Sequence, residues 1–356
     1  MTERETKLAG LVDVVLREGA SDLHLVVGRQ PTIRVAGSLA PLVREQELSA
    51  AAVEAAVQEM LSEDHTARLK EHGHVDLSFA FGNAARFRVN VYRERGNLAA
   101  AMRLIPTEIK DLKSLNLPDA LEAFANRTQG FFLVVGPMGH GKSTTLASMI
   151  NYINRTRAEH ILTIEDPIEY LFVPERSIMN QREVRSDTEN FPDALRAMLR
   201  EDVNVLMIGE MRDIETMAAA VTAAETGHMV FATLHTNNAA QTIDRIIDSF
   251  PSHQQNQIRL QLSSALLGVF SQRLIPRVSG GRIPAYELMI ANSAVKNLVR
   301  EGKTHEIDIV IETSYEQGMV SLNRSLAGLV RAGEITIESA RAYSLNPRSL
   351  DGLVSR

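Results

Sequence analysis

Cysteine is absent from the 356-residue chain. That excludes disulfides, thiolate metal sites and sulfur nucleophiles together, and it fits a reducing compartment. An excess of positive charge is also missing. The formal net charge is −6, so nothing draws the whole molecule to nucleic acid, and nucleic acid is not an expected partner. No run approaches the ~18 apolar residues of a membrane span. The first seven residues, Met1-Thr2-Glu3-Arg4-Glu5-Thr6-Lys7, are charged and lack the apolar stretch of a signal peptide. A cytoplasmic protein is the expectation. Repeats and low-complexity tracts are absent as well.

With 44% hydrophobic and 23% charged residues, the chain has ample material for a core. Its length favours two structural units. Leu8, Leu11, Val12 and Val15 follow helical spacing, Gly19 stops the helix, and Ser21-Asp22-Leu23-His24-Leu25 alternates like a strand. Further strands are expected at Thr32 to Val35 and Val75 to Phe81, with one helical segment from Ser49 to Leu69 between them. Phe87, Val89 and Val91 then alternate with polar residues, Glu94-Arg95-Gly96-Asn97 reads as a turn, and Leu98, Ala100, Met102 and Leu104 alternate in their turn. If the hairpin is centred between Arg95 and Gly96, Phe87 faces Leu104, Val89 faces Met102 and Arg88 faces Arg103. Like charges directly opposite one another destabilise a sheet unless an anion lies between them. Two solvated arginines and a phosphate clamp are both open readings.

The expected organisation is an α+β domain over residues 1–106, a linker over 107–117, an α/β core over 118–292 and a helical region over 293–356. In the last, Leu322, Leu326, Leu329 and Val330 form one stripe and Gly333 is a stop. Strand and helix patterns alternate from Phe131 to about Leu274, the order of a parallel sheet flanked by helices.

The apolar run Phe131-Phe132-Leu133-Val134-Val135 leads into Gly136-Pro137-Met138-Gly139-His140-Gly141-Lys142-Ser143, and Leu146, Met149, Ile150 and Ile153 then share one helical face. A phosphate-binding loop requires this strand and helix on either side of it. Its glycines let backbone N–H groups close on phosphates, Lys142 reaches the β and γ phosphates, and the Ser143 hydroxyl serves Mg²⁺. ATP and Mg²⁺ are the expected ligands, held by Gly136 to Ser143 and the following Thr144. His140 occupies a place where only backbone is needed, so its ring is expected to face solvent.

Three more strands run into polar tips: Ile161 to Ile164 into Glu165-Asp166-Pro167-Ile168-Glu169, Val205 to Ile208 into Gly209-Glu210, and Met229 to Leu234 into His235. Ligands of open parallel sheets lie beyond such ends. Hydrolysis needs one group to polarise water and another to hold the Mg²⁺ shell, for which Glu169 and Glu210 are candidates, Glu210 acting on Mg²⁺ directly or through water. His228 and His235 are candidates for sensing the γ-phosphate, against the alternative of core or capping histidines.

Nearly the whole chain resembles the secretion ATPase family of type II and type IV systems, most closely its pilus-retraction branch. Gly19-Ala20-Ser21-Asp22-Leu23-His24-Leu25 looks like the opening of that family's PAS-like domain. Ile161 to Tyr170 looks like its aspartate box, Gly209-Glu210-Met211-Arg212-Asp213 like the end of its atypical Walker B segment, and Thr226 to Thr236 like its histidine box. The resemblance implies a RecA-like P-loop ATPase with a smaller PAS-like domain, and a homohexamer that binds ATP at subunit boundaries and removes pilins at the pilus base. It would work at the inner face of the cytoplasmic membrane, against an inner-membrane platform protein and alongside a paralogous retraction ATPase. Glu169 matches the family's catalytic glutamate, Glu210 its Walker B glutamate, and Arg88 and Arg103 its phosphate-reaching arginines.

Extension motors of the family that this chain resembles commonly carry a four-cysteine zinc site, so under that resemblance the absence of cysteine implies retraction rather than extension. So does Ala294 to Glu301, although Lys296 stands where an arginine is usual. Met138, His140 and Val203-Asn204 also depart from the family pattern. Two other readings remain at this level: a nucleotide-binding accessory to an active paralogue, and a nucleic-acid translocase.

Overall fold

The computed structural model describes residues 5–35, 37–82, 85–106 and 108–355. The first four residues of the charged amino-terminal stretch and Thr107, where the expected linker begins, lie outside the described residues. The chain divides into two units, one of residues 1–107 with 167–171, the other of 108–166 with 172–356.

The first unit opens with α1 (Glu5–Arg17), whose Leu8, Leu11, Val12 and Val15 are all buried, as helical spacing requires. Next come β1 (Asp22–Leu25), β2 (Thr32–Val35), β3 (Ser38–Pro41), α2 (Ala50–Gln58), α3 (Glu63–His72), β4 (His74–Phe81), β5 (Ala85–Glu94) and β6 (Asn97–Ile105). The strands form an antiparallel sheet in the order β3-β2-β1-β6-β5-β4. Leu23, Leu25, Phe87, Val89, Val91 and Met102 share one core with Val53 and Val57 of α2 and Leu69 of α3.

One expectation fails here: the single helix from Ser49 to Leu69 is two. The Ser62 hydroxyl accepts from His65 N–H at 3.2 Å and the His65 ring accepts from Ser62 N–H at 3.4 Å, a capping box that starts a new helix. The β5–β6 hairpin has the expected register, with Phe87 opposite Leu104, Val89 opposite Met102 and Arg88 opposite Arg103. Arg95 and Gly96 both have positive φ, 49° and 83°, the primed turn whose twist suits paired strands.

In the second unit, α4 (Ala120–Ala125) precedes β7 (Gly130–Val135), α5 (Lys142–Thr156), β8 (His160–Glu165), β9 (Ile178–Glu183), α6 (Phe191–Met198), β10 (Val205–Ile208), α7 (Ile214–Glu225), β11 (Met229–Leu234), α8 (Ala239–Asp248) and α9 (Ser252–Ala265). The hairpin β12 (Leu266–Pro276) and β13 (Arg282–Ile290) follows, then α10 (Ser293–Glu301), α11 (Ile307–Thr313), α12 (Leu322–Arg331), α13 (Ile337–Tyr343) and α14 (Pro347–Val354). The sheet runs β13-β12-β7-β11-β10-β8-β9, parallel except for β13. Every residue of β7, β10 and β11 is buried, which explains their unbroken apolar sequences.

Glu108 to Leu117, expected as linker, belong to this second unit, and Leu112 and Leu117 are buried. Leu322, Leu326, Ala327, Ile335, Ala340 and Leu350 form a satellite core on Ile275, Ile283 and Ala285 of the β12–β13 hairpin. Among the described residues no helix is long and apolar enough to cross a membrane.

Candidate nucleotide site

β7 delivers the chain to a loop whose glycines have φ of 143° (Gly136), 76° (Gly139) and 80° (Gly141), values that favour glycine. Gly136 is fixed twice over, because a Cβ there would stand 2.3 Å from the Gln272 carbonyl oxygen of β12. Gly141 ends the loop as the N-cap of α5 without a side-chain cap. The first N–H groups of that helix therefore remain available to an anion.

Strand order sets what the loop can meet. β11 lies directly beside β7, β10 next to β11, and β8 one strand further, so their tips stand about 5, 10 and 14 Å from the loop strand at the usual interstrand spacing. Lys142, only 7% exposed, donates from Nζ to Gly136 O and Pro137 O at 2.9 Å each, and to His235 Nδ1 at 3.1 Å. An ammonium can only donate, so Nδ1 accepts and the imidazole carries its proton on Nε2. That nitrogen lies 3.0 Å from Glu210 Oε1, while Glu210 Oε2 accepts from Arg212 at 2.8 Å. Burial pushes the Glu210 carboxyl up, but the hydrogen bond from Arg212 and the facing His235 outweigh it and hold the group below its ordinary range. One hydrogen-bonded path thus runs from the loop lysine through the tip of β11 to an ionised acid at the tip of β10.

Other expected residues fall elsewhere. His228 precedes β11 and so sits at the opposite end of the strand from His235. The separation is roughly 23 Å at strand rise, and His228 Nδ1 is 3.0 Å from Ala223 O at the end of α7. It does not join the cluster, and the capping alternative describes its contact. Glu169 is exposed and lies in the 167–171 segment that groups with the first unit. Glu165 is buried at the tip of β8 and accepts from Thr163 at 2.7 Å. Met138 is 83% exposed on the loop.

His140 is a correction. Its ring is half-buried rather than free in solvent: Nδ1 accepts the Leu274 N–H at 2.9 Å, and the ring packs edge-on against Tyr343 of α13 with centroids 6.2 Å apart. Burial, followed by the charges of Arg273, Arg282 and Lys142, holds it below the ordinary histidine range, consistent with a neutral acceptor. The sequence reading also missed Gln272, 3% exposed on β12. Its carboxamide accepts from Thr145 Oγ1 at 2.7 Å and donates to His140 O at 2.8 Å, joining the loop to α5. The signal was present as a polar stretch, Ser271-Gln272-Arg273, inside the otherwise apolar β12.

In the first unit Arg88 and Arg103 do face one another, but no anion is needed to reconcile them. Arg103 Nε donates to Asp22 Oδ1 at 2.9 Å, and Arg34 Nε lies 3.6 Å from Oδ2 of the same carboxylate. Burial raises the Asp22 carboxyl, yet the Ser21 hydrogen bond and the two arginines together hold it below its usual range. Arg88 is exposed, and its side chain makes no ion pair among the described residues.

Comparison with known proteins identifies the family. Residues 5–281 match the family described as type II/IV secretion system protein. The type IV pilus retraction ATPase PilT of Pseudomonas aeruginosa is 42% identical over 338 residues, covering 94% of this chain and 96% of that protein. A twitching motility protein of Neisseria gonorrhoeae is 44% identical over 321 residues, 90% of this chain and 86% of the other. A crystal structure of the pilus retraction motor PilT with bound ADP superposes with a TM-score of 0.91 at 46% identity, covering 97% and 99% of the two chains.

Proposed function

The chain belongs to the type II/IV secretion system protein family, and from that premise we propose that it is an ATP-hydrolysing motor that acts as a homohexamer to power retraction of type IV pili. The observation that carries this reading is the path Lys142–His235–Glu210. It ties the group that would hold the terminal phosphates to the acid beside the position of attack.

ATP would enter with its phosphates against the loop N–H groups and the start of α5. The Lys142 ammonium then exchanges the Gly136 and Pro137 carbonyls for phosphate oxygens, and it releases His235 Nδ1 as it moves. His235 keeps its Nε2 proton on Glu210 and turns a free acceptor towards the γ-phosphate and its water. The Ser143 hydroxyl and the ionised Glu210 are hard oxygen donors, few in number, and they fit a magnesium ion that keeps phosphate and water ligands. When bound, that ion would neutralise charge on the β and γ oxygens. Glu169 is assigned as the base that orients water, and Arg88 and Arg103 as positive charge for the phosphates, Arg103 having first to leave Asp22. The motor is placed at the inner face of the cytoplasmic membrane, on an inner-membrane platform protein, with a paralogous ATPase as a further partner.

Lys142→Ala tests the reading. Purified variant is expected to form rings yet lose phosphate release, and cells carrying it to keep pili that no longer retract. Normal turnover by the variant, or normal retraction in cells lacking the gene, would refute it.

A further inference from the structure

Three residues, Thr236, Asn237 and Asn238, connect His235 to the start of α8, and each is tied down. Thr236 Oγ1 lies 2.7 Å from Thr242 Oγ1, Asn237 O accepts from Ser271 Oγ at 2.9 Å, and the Asn238 side chain caps α8 by accepting from Gln241 N–H at 2.9 Å. The next N–H, that of Ala239, donates to Glu287 Oε1 at 2.8 Å. Ser271 and Glu287 are direct cross-strand partners on β12 and β13. They are 2% and 7% exposed. On its other side Ser271 pairs with Val135, the residue before Gly136. One cross-strand pair therefore underlies both the link that carries His235 and the strand that carries the phosphate loop.

A carboxylate in such a place is expensive, since burial of a charge costs several kcal/mol that an apolar side chain of similar size would avoid. What the carboxylate supplies is a strong acceptor aimed at the first N–H of a helix, where negative charge is favoured. That contact fixes where α8 begins and, through three residues, where the imidazole stands between Lys142 and Glu210. We propose that Glu287, with Ser271 opposite it, is a positioning residue for hydrolysis, setting the height of His235 against the phosphate loop without itself touching nucleotide. A displacement of about 1 Å in a group that must meet a transition state can cost on the order of a hundredfold in rate, while binding of a diphosphate through loop N–H groups is little affected.

The inference rests on the hydrolytic reading above, and its test separates the two. Wild type, Glu287→Leu, Glu287→Gln and Ser271→Ala are compared as assembled rings for kcat, KM, affinity for a fluorescent ADP analogue and melting temperature. Glu287→Leu is expected to lose roughly ten- to hundredfold in kcat with ADP affinity kept within about threefold. Glu287→Gln, whose amide oxygen still accepts from Ala239, should recover most of that loss. Ser271→Ala should show the same split at smaller amplitude. The positioning role is overturned if Glu287→Leu turns over within twofold of wild type. It is equally overturned if ADP affinity falls as far as kcat, or if the Gln variant is as slow as the Leu variant. Should Glu287→Leu not fold, Ser271→Ala decides, a kcat loss without an affinity loss supporting the role and an unchanged kcat refuting it. A wild type without turnover would sink the hydrolytic reading itself.

Discussion

Replacing Gln272 by leucine keeps the volume of a side chain that is 3% exposed, and it removes both hydrogen bonds of the carboxamide. Thr145 Oγ1, in a residue 1% exposed, loses its acceptor and the His140 carbonyl loses a donor. Two lost bonds with one fully buried hydroxyl left unsatisfied should cost roughly 2–3 kcal/mol. Two separate units make a single unfolding transition unsafe to assume, so the readout is native-state hydrogen exchange at the β7 and β12 amides, which reports local opening of this sheet. Exchange there should accelerate about 30- to 140-fold, each 1.4 kcal/mol being tenfold. The decisive arm is Thr145→Val in the same background. With both partners of that bond apolar the orphaned hydroxyl is gone and only the His140 carbonyl still lacks its donor, so the double variant should be more stable than the sum of the single losses by about 1 kcal/mol or more. Additive losses, or a single-variant effect below about 0.5 kcal/mol, would mean that the carboxamide does not brace the loop as described.

Gly136→Ala should abolish nucleotide binding, because the added Cβ meets backbone at 2.3 Å and cannot be relieved by a side-chain rotation; titration with a fluorescent ADP analogue checks it. Arg103→Ala should lower the melting temperature of the first unit by removing a hydrogen bond to the nearly buried Asp22, worth about 1–2 kcal/mol, whereas Arg88→Ala should lower turnover and leave melting alone. Glu287 is pushed up from 4.5 to about 7, first by burial and then by Asp308, against the Ala239 hydrogen bond and Arg273. The folded state therefore binds the extra proton, and stability is lost as pH rises between those two values, up to about 3 kcal/mol at 1.36 kcal/mol per unit. Glu287→Gln should remove that slope, so its stability relative to wild type grows from pH 5 to pH 8; parallel curves would contradict the assigned burial.

The phosphate loop was legible because its residues are contiguous and each has a local task. The β5–β6 register was legible because Arg95-Gly96 declares its turn and the apolar positions can match in one way only. Partners distant in sequence were not. Asp22 and Arg103 lie 81 residues apart, and His140 and Leu274 lie 134 apart, so a like-charge pair stayed open between a solvated and a liganded reading and a ring looked as if it faced water. β9 escaped notice because Ile178-Met179-Asn180-Gln181-Arg182-Glu183 is an edge strand with only two apolar residues, too few to alternate. The two histidines of the Thr226 to Thr236 segment looked equivalent until a six-residue strand separated them.

The alternation along β12 limits how this sequence can change. Gln272 points to the phosphate loop, and its neighbour Ser271 holds the Asn237 carbonyl on the way to α8. Successive residues of a strand face opposite ways, so a one-residue slip exchanges them. A one-residue insertion just before Ser271 would set its hydroxyl in the place of Gln272, and a one-residue deletion there would set the carboxamide in the place of Ser271; either disables both contacts in one step. The irregularity already present between Leu266 and Gly268 lies upstream of this frame. Length variation among related chains should therefore collect before Gly268 or beyond Pro276, leaving the stretch between them to vary by substitution alone.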